Sequence, residues 1–118
     1  MIHEGQIILF KFPQTDQVSG KLRPALVLRS LPGSYDDWLI CMITTRLSHE
    51  NAGIDEIIKT TDPDFSHSGL KSASLFRVTR IAVVSTSMLE GVIGNIQHPR
   101  LLRIRARICQ WISDENNR

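Results

Sequence analysis

The sequence predicts one mainly β domain that ends in a single α-helix, and three observations lead to this fold class. Short runs rich in β-branched and aromatic residues recur along most of the chain, with turn residues between them. Near the end, apolar residues recur instead at the spacing of a helix. A length of 118 residues suits one hydrophobic core. We therefore expect a single domain over residues 1–118.

Two strands are expected in the N-terminal part. Residues 6–12 (QIILFKF) are nearly all apolar, and the run stops at Pro13. Residues 14–21 are polar and indicate a loop. The next apolar run, 25–28, begins after Pro24, and a strand accepts proline at its first residue because the missing N–H is not needed there.

The middle of the chain predicts three more strands. Residues 31–34 (LPGS) indicate a turn, and the mostly apolar run 38–45 that follows is typical of a strand buried on both faces. Residues 54–58 predict a short strand, and residues 61–69 predict a loop. Residues 74–84 then predict a long strand.

Side chains along residues 74–84 should alternate between two sides of the sheet. One side would carry Leu75, Arg77, Thr79 and Ile81, and the other Phe76, Val78 and Arg80. We expect Phe76 and Val78 to face the core, with Arg77 and Thr79 facing outward.

The last segment predicts a helix that opens at Pro99, because a missing N–H costs nothing in a first helical turn. Its apolar stripe consists of Leu101, Ile104, Ile108 and Ile112, flanked by Leu102, Cys109 and Trp111. The opposite side carries Arg100, Arg103 and Arg107. We expect the apolar stripe to pack on the sheet and the arginines to face solvent.

Charge is distributed unevenly although the net charge is only +2. Basic residues group within 21–29, 71–80 and 100–107. The first two groups would form one basic face if the fold brings them together, and ordinary solvated charges are the alternative.

Common metal and nucleotide signatures are absent, and the four histidines lie far apart, so we expect no metal and no cofactor. Cys41 and Cys109 are isolated and are expected to be structural. The longest apolar run, residues 7–10, is too short to cross a bilayer. These features predict a cytoplasmic protein without a membrane partner.

One phrase, GKLRPALVL at residues 20–28, carries the strongest chemical signal. Pro24 restricts Arg23 to extended geometry, so this arginine is held in place. A planar guanidinium matches phosphate oxygens in pairs. The phrase indicates an anion-binding arginine, and an ion pair that pins the neighbouring loop is the alternative.

In the order of its motifs, the chain resembles the MazF/PemK family of toxin endoribonucleases over nearly its whole length. Each motif alone is short, but together they follow the order of the family. The matching segments are residues 4–8 (EGQII), 12–13 (FP), 20–28 (GKLRPALVL), 37–45 (DWLICMITT, like an Ile-Thr-Ser type signature), 69–71 (GLK) with Ser74, and Gly94.

The resemblance implies an SH3-like β-barrel of the MazF/PemK/CcdB toxin type that acts as a homodimer. It implies the toxin of a type II toxin–antitoxin system, an mRNA interferase that cleaves single-stranded RNA without a metal through a 2′,3′-cyclic phosphate. A cognate antitoxin peptide would cover the RNA groove, and the complex would bind DNA.

Carried over residue by residue, the resemblance implies catalytic roles for Arg23 and Thr44, and also for Arg77 in the penultimate strand. The side chains expected to bind RNA are Ser19, Lys21, Thr45, Lys71, Ser74 and Thr79.

The chain departs from the family pattern at positions that bear on catalysis. Met42 stands where a proline often precedes Ile-Thr, and Thr79 stands where some members have an acid. The general base is therefore unassigned, with His49 and His67 as candidates. Two alternatives keep the same barrel: a protein-binding poison like the gyrase-targeting plasmid toxins, and a catalytically silent RNA- or peptide-binding module.

Overall fold

The computed structural model of the chain describes residues 2–12 and 21–115. Within these residues the strands are β1 (Gln6–Phe12), β2 (Lys21–Ser30), β3 (Asp37–Thr44), β4 (Glu56–Ile58), β5 (Ser74–Ser85) and β6 (Leu89–Asn95). The α-helices are α1 (Phe65–Ser68) and α2 (His98–Ser113), and single 3₁₀ turns lie at Leu47–His49 and Thr86–Met88.

The six strands form one sheet in the order β4-β5-β3-β2-β1-β6, and every neighbouring pair is antiparallel. The predicted fold class, mainly β with a C-terminal helix, is confirmed. Sheet order puts β2, β3 and β5 side by side, and these are the strands that carry the three predicted catalytic residues.

Strand β2 begins earlier than the sequence predicts, at Lys21 rather than Ala25. Pro24 therefore lies inside the strand, opposite Leu9 of β1. Pairing of β2 with β3 starts only at Ala25, so at Pro24 the strand has a partner on one side. A proline without an N–H is tolerated at such an edge.

Two elements were not predicted from the sequence. Helix α1 lies inside the stretch 61–69 that was expected to be a loop, and β6 was not expected at all. The β6 sequence, LEGVIGN, contains two glycines and a glutamate, which are poor strand formers. Pairing with β1, rather than local preference, makes this segment a strand.

The sheet has an apolar cluster on each face. The face that carries α2, here called the helix face, contains Ile7, Leu26, Leu28, Cys41, Ile43, Ile58, Phe76, Val78, Ile96, Leu101, Ile104 and Ile108. The opposite face, here called the far face, contains Ile8, Phe10, Ala25, Val27, Ile40 and Val84. Phe76 and Val78 are fully buried, as predicted.

The predicted alternation along β5 is wrong at Ile81. Cys41 pairs with Ile81, but the next residue of β3, Met42, pairs with Arg77. Residues 78–80 therefore form a bulge of three extra residues in β5. Because three is an odd number, Ile81 packs with the helix-face cluster instead of sharing the side of Arg77.

The expectation that the arginines of α2 face solvent is wrong for Arg100, which is only 6% exposed. Its Nε and Nη2 donate to the two carboxylate oxygens of Asp64 at 2.8 and 3.0 Å. Nη1 donates to Glu56 at 2.8 Å, and Nη2 also reaches Asp62 at 3.0 Å. The carboxylates lie 36 to 44 residues away in sequence, so no local pattern indicates this network.

The apolar stripe of α2 is only partly as predicted. Leu101, Ile104 and Ile108 are buried on the helix face, whereas Ile112 and Leu102 are exposed. Burial of Arg100 beside Leu101 shows that, at its N-terminal end, the buried side of α2 is rotated toward Glu56 of β4 and Asp64, the N-cap residue of α1.

Helix α1 packs against β6 through two glycines. Gly69 ends α1 with φ +75°, and an added Cβ there would overlap the carbonyl of Ile93. A Cβ at Gly94 would likewise overlap the backbone of Ser68. Close backbone approach therefore explains two glycines that belong to the matching motifs.

Candidate active site

Strands β2, β3 and β5 place the three predicted catalytic residues on one face of the sheet. Ala25 lies opposite Met42, and Met42 lies opposite Arg77. Directly opposed residues project to the same side, and so do residues two apart on a strand. Arg23 is two residues before Ala25 and Thr44 is two after Met42. All three side chains therefore point to the far face.

The same register brings the three residues to one end of that face. Because β2 and β3 are antiparallel, Arg23, two residues before Ala25, and Thr44, two residues after Met42, lie toward the same end of the sheet. Thr44 itself lies opposite Leu75, two residues from Arg77. Neighbouring strands are about 4.8 Å apart and diagonal neighbours about 7–8 Å. Arg77 is therefore a diagonal neighbour of Thr44 on a paired strand, whereas Arg23 lies two residues beyond the last pair between β2 and β3.

Arg23 is exposed, and among residues 2–12 and 21–115 its side chain has no hydrogen bond or ion pair. Its backbone is held in the ladder opposite Phe10 and immediately before Pro24. The alternative, an ion pair that pins the neighbouring loop, concerns residues 14–20, which lie outside the described residues. The backbone of Arg23 is thus held by the strand, while its side chain is exposed.

Thr44 is half-buried at the end of β3, and its Oγ1 accepts a hydrogen bond from the backbone N–H of Arg46 at 3.1 Å. A hydroxyl that accepts in this way still has its own hydrogen to donate. The turn after β3 therefore holds the Thr44 hydroxyl oxygen and leaves its hydrogen free to donate.

Arg77 is half-buried, and its Nε is a buried donor with no partner among the residues that the structure describes. Buried donors are nearly always hydrogen-bonded in proteins, so such an atom calls for an explanation. A ligand would reach this buried atom only after the Arg77 side chain moves.

The residues predicted to bind RNA are placed unequally. Lys21, Thr45 and Lys71 are exposed, and Thr79 is half-buried in the β5 bulge. Ser74 is only 1% exposed, and its hydroxyl donates to the carbonyl of Ser72 at 2.9 Å, so it is not available to a surface ligand. Ser19 lies outside the described residues.

The two candidate bases differ in position. His49 is exposed in the 3₁₀ turn that follows β3, five residues after Thr44. His67 lies on α1, which packs on β6, the strand three places away from β3 in the sheet order. His49 is therefore close to Thr44 along the chain, and His67 lies eight residues before Leu75, the partner of Thr44 on β5.

Cysteine and metal chemistry find no support among the described residues. Burial, and then the nearby negative charge of Asp55, raise the pKa of the Cys41 thiol to about 12, so it is not a nucleophile at neutral pH. No group of three or more histidine, cysteine, aspartate or glutamate residues in 2–12 and 21–115 has the geometry to hold a metal ion. None of the described helices is long and apolar enough to span a membrane.

The structure thus defines a small antiparallel β protein whose candidate site consists of cationic and hydroxyl side chains at one end of three strands. The family model of the PemK-like, MazF-like toxin of type II toxin–antitoxin systems matches residues 3–112. The chain belongs to this toxin family, and its sheet with a C-terminal helix is consistent with the family's fold. A search of curated proteins found no match. Membership of a toxin–antitoxin family implies an antitoxin partner.

Proposed function

We propose that this chain is a toxin that cleaves single-stranded RNA without a metal ion. The observation that supports the proposal most directly is the placement of Arg23, Thr44 and Arg77 on one face, at one end of neighbouring strands. Two guanidinium groups around one hydroxyl suit a phosphodiester, because its negative charge grows during cleavage.

The proposed reaction is an internal transesterification. The ribose 2′-oxygen attacks the adjacent phosphorus, and the bond between that phosphorus and the 5′-oxygen breaks. The products carry a 2′,3′-cyclic phosphate and a 5′-hydroxyl. The 2′-hydroxyl gives up its proton to a base, and the departing 5′-oxygen takes one up. His49 and His67 are the candidates for that base, and His49 is only five residues from Thr44 along the chain.

Each of the three side chains has a distinct role. Arg23, open and held by the strand, binds the non-bridging phosphate oxygens. Thr44 donates its hydroxyl hydrogen to one of them, while its lone pair holds the N–H of Arg46. Arg77, which is half-buried, donates from the guanidinium to the phosphate or the leaving oxygen. Each well-placed donor is worth about 10²–10³ in rate.

The RNA on either side of the scissile bond would contact exposed residues near this end of the sheet. We propose phosphate contacts for Lys21, Lys71 and Thr45, with Thr79 beside Arg77 and Ser19 in the preceding segment. Ser74 is left out because its hydroxyl is buried and already donates. Such phosphate contacts set affinity rather than base choice.

Further expectations accompany this function. We propose a homodimer built from one domain of residues 1–118, acting in the cytoplasm. We also propose that an antitoxin peptide binds over the RNA site and that the complex binds DNA. Each of these rests on the family rather than on the described contacts.

The test is to incubate the purified protein with a defined RNA in EDTA and to map the ends of the products. We expect 2′,3′-cyclic phosphate ends, and Arg23→Ala should lower the rate by about 10²–10³. Arg29→Ala is the matched control, because Arg29 is another exposed arginine of β2 that lies toward its opposite end. That control should cleave like the wild type.

An RNA with a 2′-deoxyribose at the scissile position should not be cut. Cleavage of that substrate, or equal activity of the Arg23 and Arg29 variants, would contradict the mechanism. Growth arrest without cleaved ends would favour a protein-binding poison instead. RNA binding with neither cleavage nor arrest would favour a catalytically silent module.

A further inference from the structure

The bulge in β5 lies directly beside Arg77. Val78, Thr79 and Arg80 are inserted where Cys41 and Met42 are consecutive on β3. Within a bulge the extra residues lose their partners in the ladder, so their backbone groups need other acceptors. The position of Arg77 on the far face depends on what holds this insertion in register.

Asp55 supplies one of those acceptors. It is 3% exposed and immediately precedes β4, whose first residue, Glu56, lies opposite Phe76 of β5. Its Oδ1 accepts a hydrogen bond from the N–H of Val78 at 2.9 Å. The two residues are 23 apart in sequence, so this bond connects the approach to β4 with the first residue of the bulge.

The second carboxylate oxygen of Asp55 is also occupied. Oδ2 accepts from the backbone N–H of Asn51 at 2.8 Å and from its Nδ2 at 3.3 Å. Three N–H donors therefore fix the carboxylate from two sides. Cys41 is the β3 residue at the edge of the bulge. Burial and the negative charge of Asp55 together raise the pKa of its thiol.

We propose that Asp55 is the positioning residue for Arg77. By holding the N–H of Val78, it fixes the bulge so that Arg77 stays opposite Met42 with its side chain on the same face as Thr44. A slip of one residue in β5 would send Arg77 to the helix face. The catalytic consequence rests on the proposed function, since it requires Arg77 to contact the scissile phosphate.

Asp55→Asn tests this role because the amide is the same size as the carboxylate. One oxygen can still accept a hydrogen bond, but the NH₂ group then faces either Val78 N–H or the donors of Asn51. Ile58→Val is the control, since it weakens the buried core at the other end of β4 and leaves the bulge contacts intact. Both variants are compared by RNA cleavage and by amide hydrogen exchange.

We expect Asp55→Asn to lower kcat by about 10–100-fold with KM within a few-fold, because a displacement of about 1 Å is costly for catalysis. Exchange of the Val78 amide should become faster, and the Nε–H resonance of Arg77 should shift. In an Arg77→Ala background the additional loss of kcat should disappear, whereas any loss of stability should remain. Ile58→Val should change stability alone.

Equal losses of kcat with and without Arg77 would overturn the positioning role, as would unchanged exchange at Val78. If Asp55→Asn does not fold, Asn51→Ala removes one donor and leaves the bond to Val78, and its smaller loss of kcat must likewise depend on Arg77. If the wild type does not cleave RNA, the proposed function fails, but the Val78 exchange and the Arg77 resonance still decide whether Asp55 sets the bulge.

Discussion

Replacing Arg100 with methionine should be among the most destabilising changes in this protein. The substitution keeps an unbranched side chain at the start of α2 and removes the guanidinium. Asp64, which is 2% exposed, then loses both of its hydrogen bonds to Arg100 and keeps the N–H of Gln97 at 3.2 Å. Glu56 keeps its ion pairs with Arg103 and Arg107.

The expected loss in the free energy of unfolding follows from the carboxylate of Asp64, which stays buried without its partner. Removing one partner of a buried ion pair typically costs about 3–5 kcal/mol, because the other charge stays out of water. Domains are stable by about 5–15 kcal/mol in total, so this variant should unfold at much lower urea concentration. The melting temperature should fall by roughly 10–20 °C.

Arg103→Met is the matched control. Arg103 lies three residues after Arg100 on the same helix. It also contacts Glu56, at 3.0 Å, but its side chain is 52% exposed. Exposed ion pairs contribute about 0–1 kcal/mol. Urea denaturation of both variants measures the difference, and similar free energies of unfolding would refute the view that Arg100 joins α2 to β4 and α1.

The network also predicts a dependence on acid. Burial alone would raise the pKa of Asp64, but hydrogen bonds from Arg100 and Gln97 outweigh it and hold that pKa below its usual value. A carboxylate with a lowered pKa contributes stability above its unfolded pKa, near 3.9, and this is lost as pH falls through the folded value. Stability should therefore drop below about pH 4, and less steeply in Arg100→Met.

Two further predictions concern a thiol pair and a glycine pair. In the native protein a thiol reagent at pH 8 should modify the exposed Cys109 and not the buried Cys41, while both should react in urea; rapid native reaction of Cys41 would contradict its burial. Gly69→Ala should lower the free energy of unfolding by more than Gly53→Ala does. Both glycines have positive φ, where an alanine costs about 1–2 kcal/mol. Only at Gly69 would the added Cβ also overlap the backbone of Ile93. Thermal unfolding gives both values, and equal losses would mean that α1 does not pack closely on β6.

Much of the fold followed from local patterns in the sequence. Apolar runs located β1, β3 and β5 to within a residue or so, and helical spacing together with a proline located α2. The order of the motifs led to the toxin family, which the family model confirmed. These features were readable because residues close in sequence determine strand and helix preference.

The candidate site was only partly readable in the same way. Pro24 beside Arg23 drew attention to that arginine, and Thr44 came from its match to the Ile-Thr signature of the family. Their shared face with Arg77 depends on the register between three strands. The bond from Val78 to Asp55 has no counterpart in the sequence analysis, since a lone aspartate before a short strand carries no local signal.

By itself the sequence located β1, β3, β5 and α2 and pointed to the toxin family. Only the tertiary structure decided that Arg100 is buried among carboxylates, that β6 is a strand and that Ser74 is not on the surface. The physical reason is that hydrogen bonds and ion pairs between distant segments set these features. A three-residue bulge likewise changes the direction of every following side chain in β5, and no periodic pattern in the sequence predicts where a neighbouring strand will allow it.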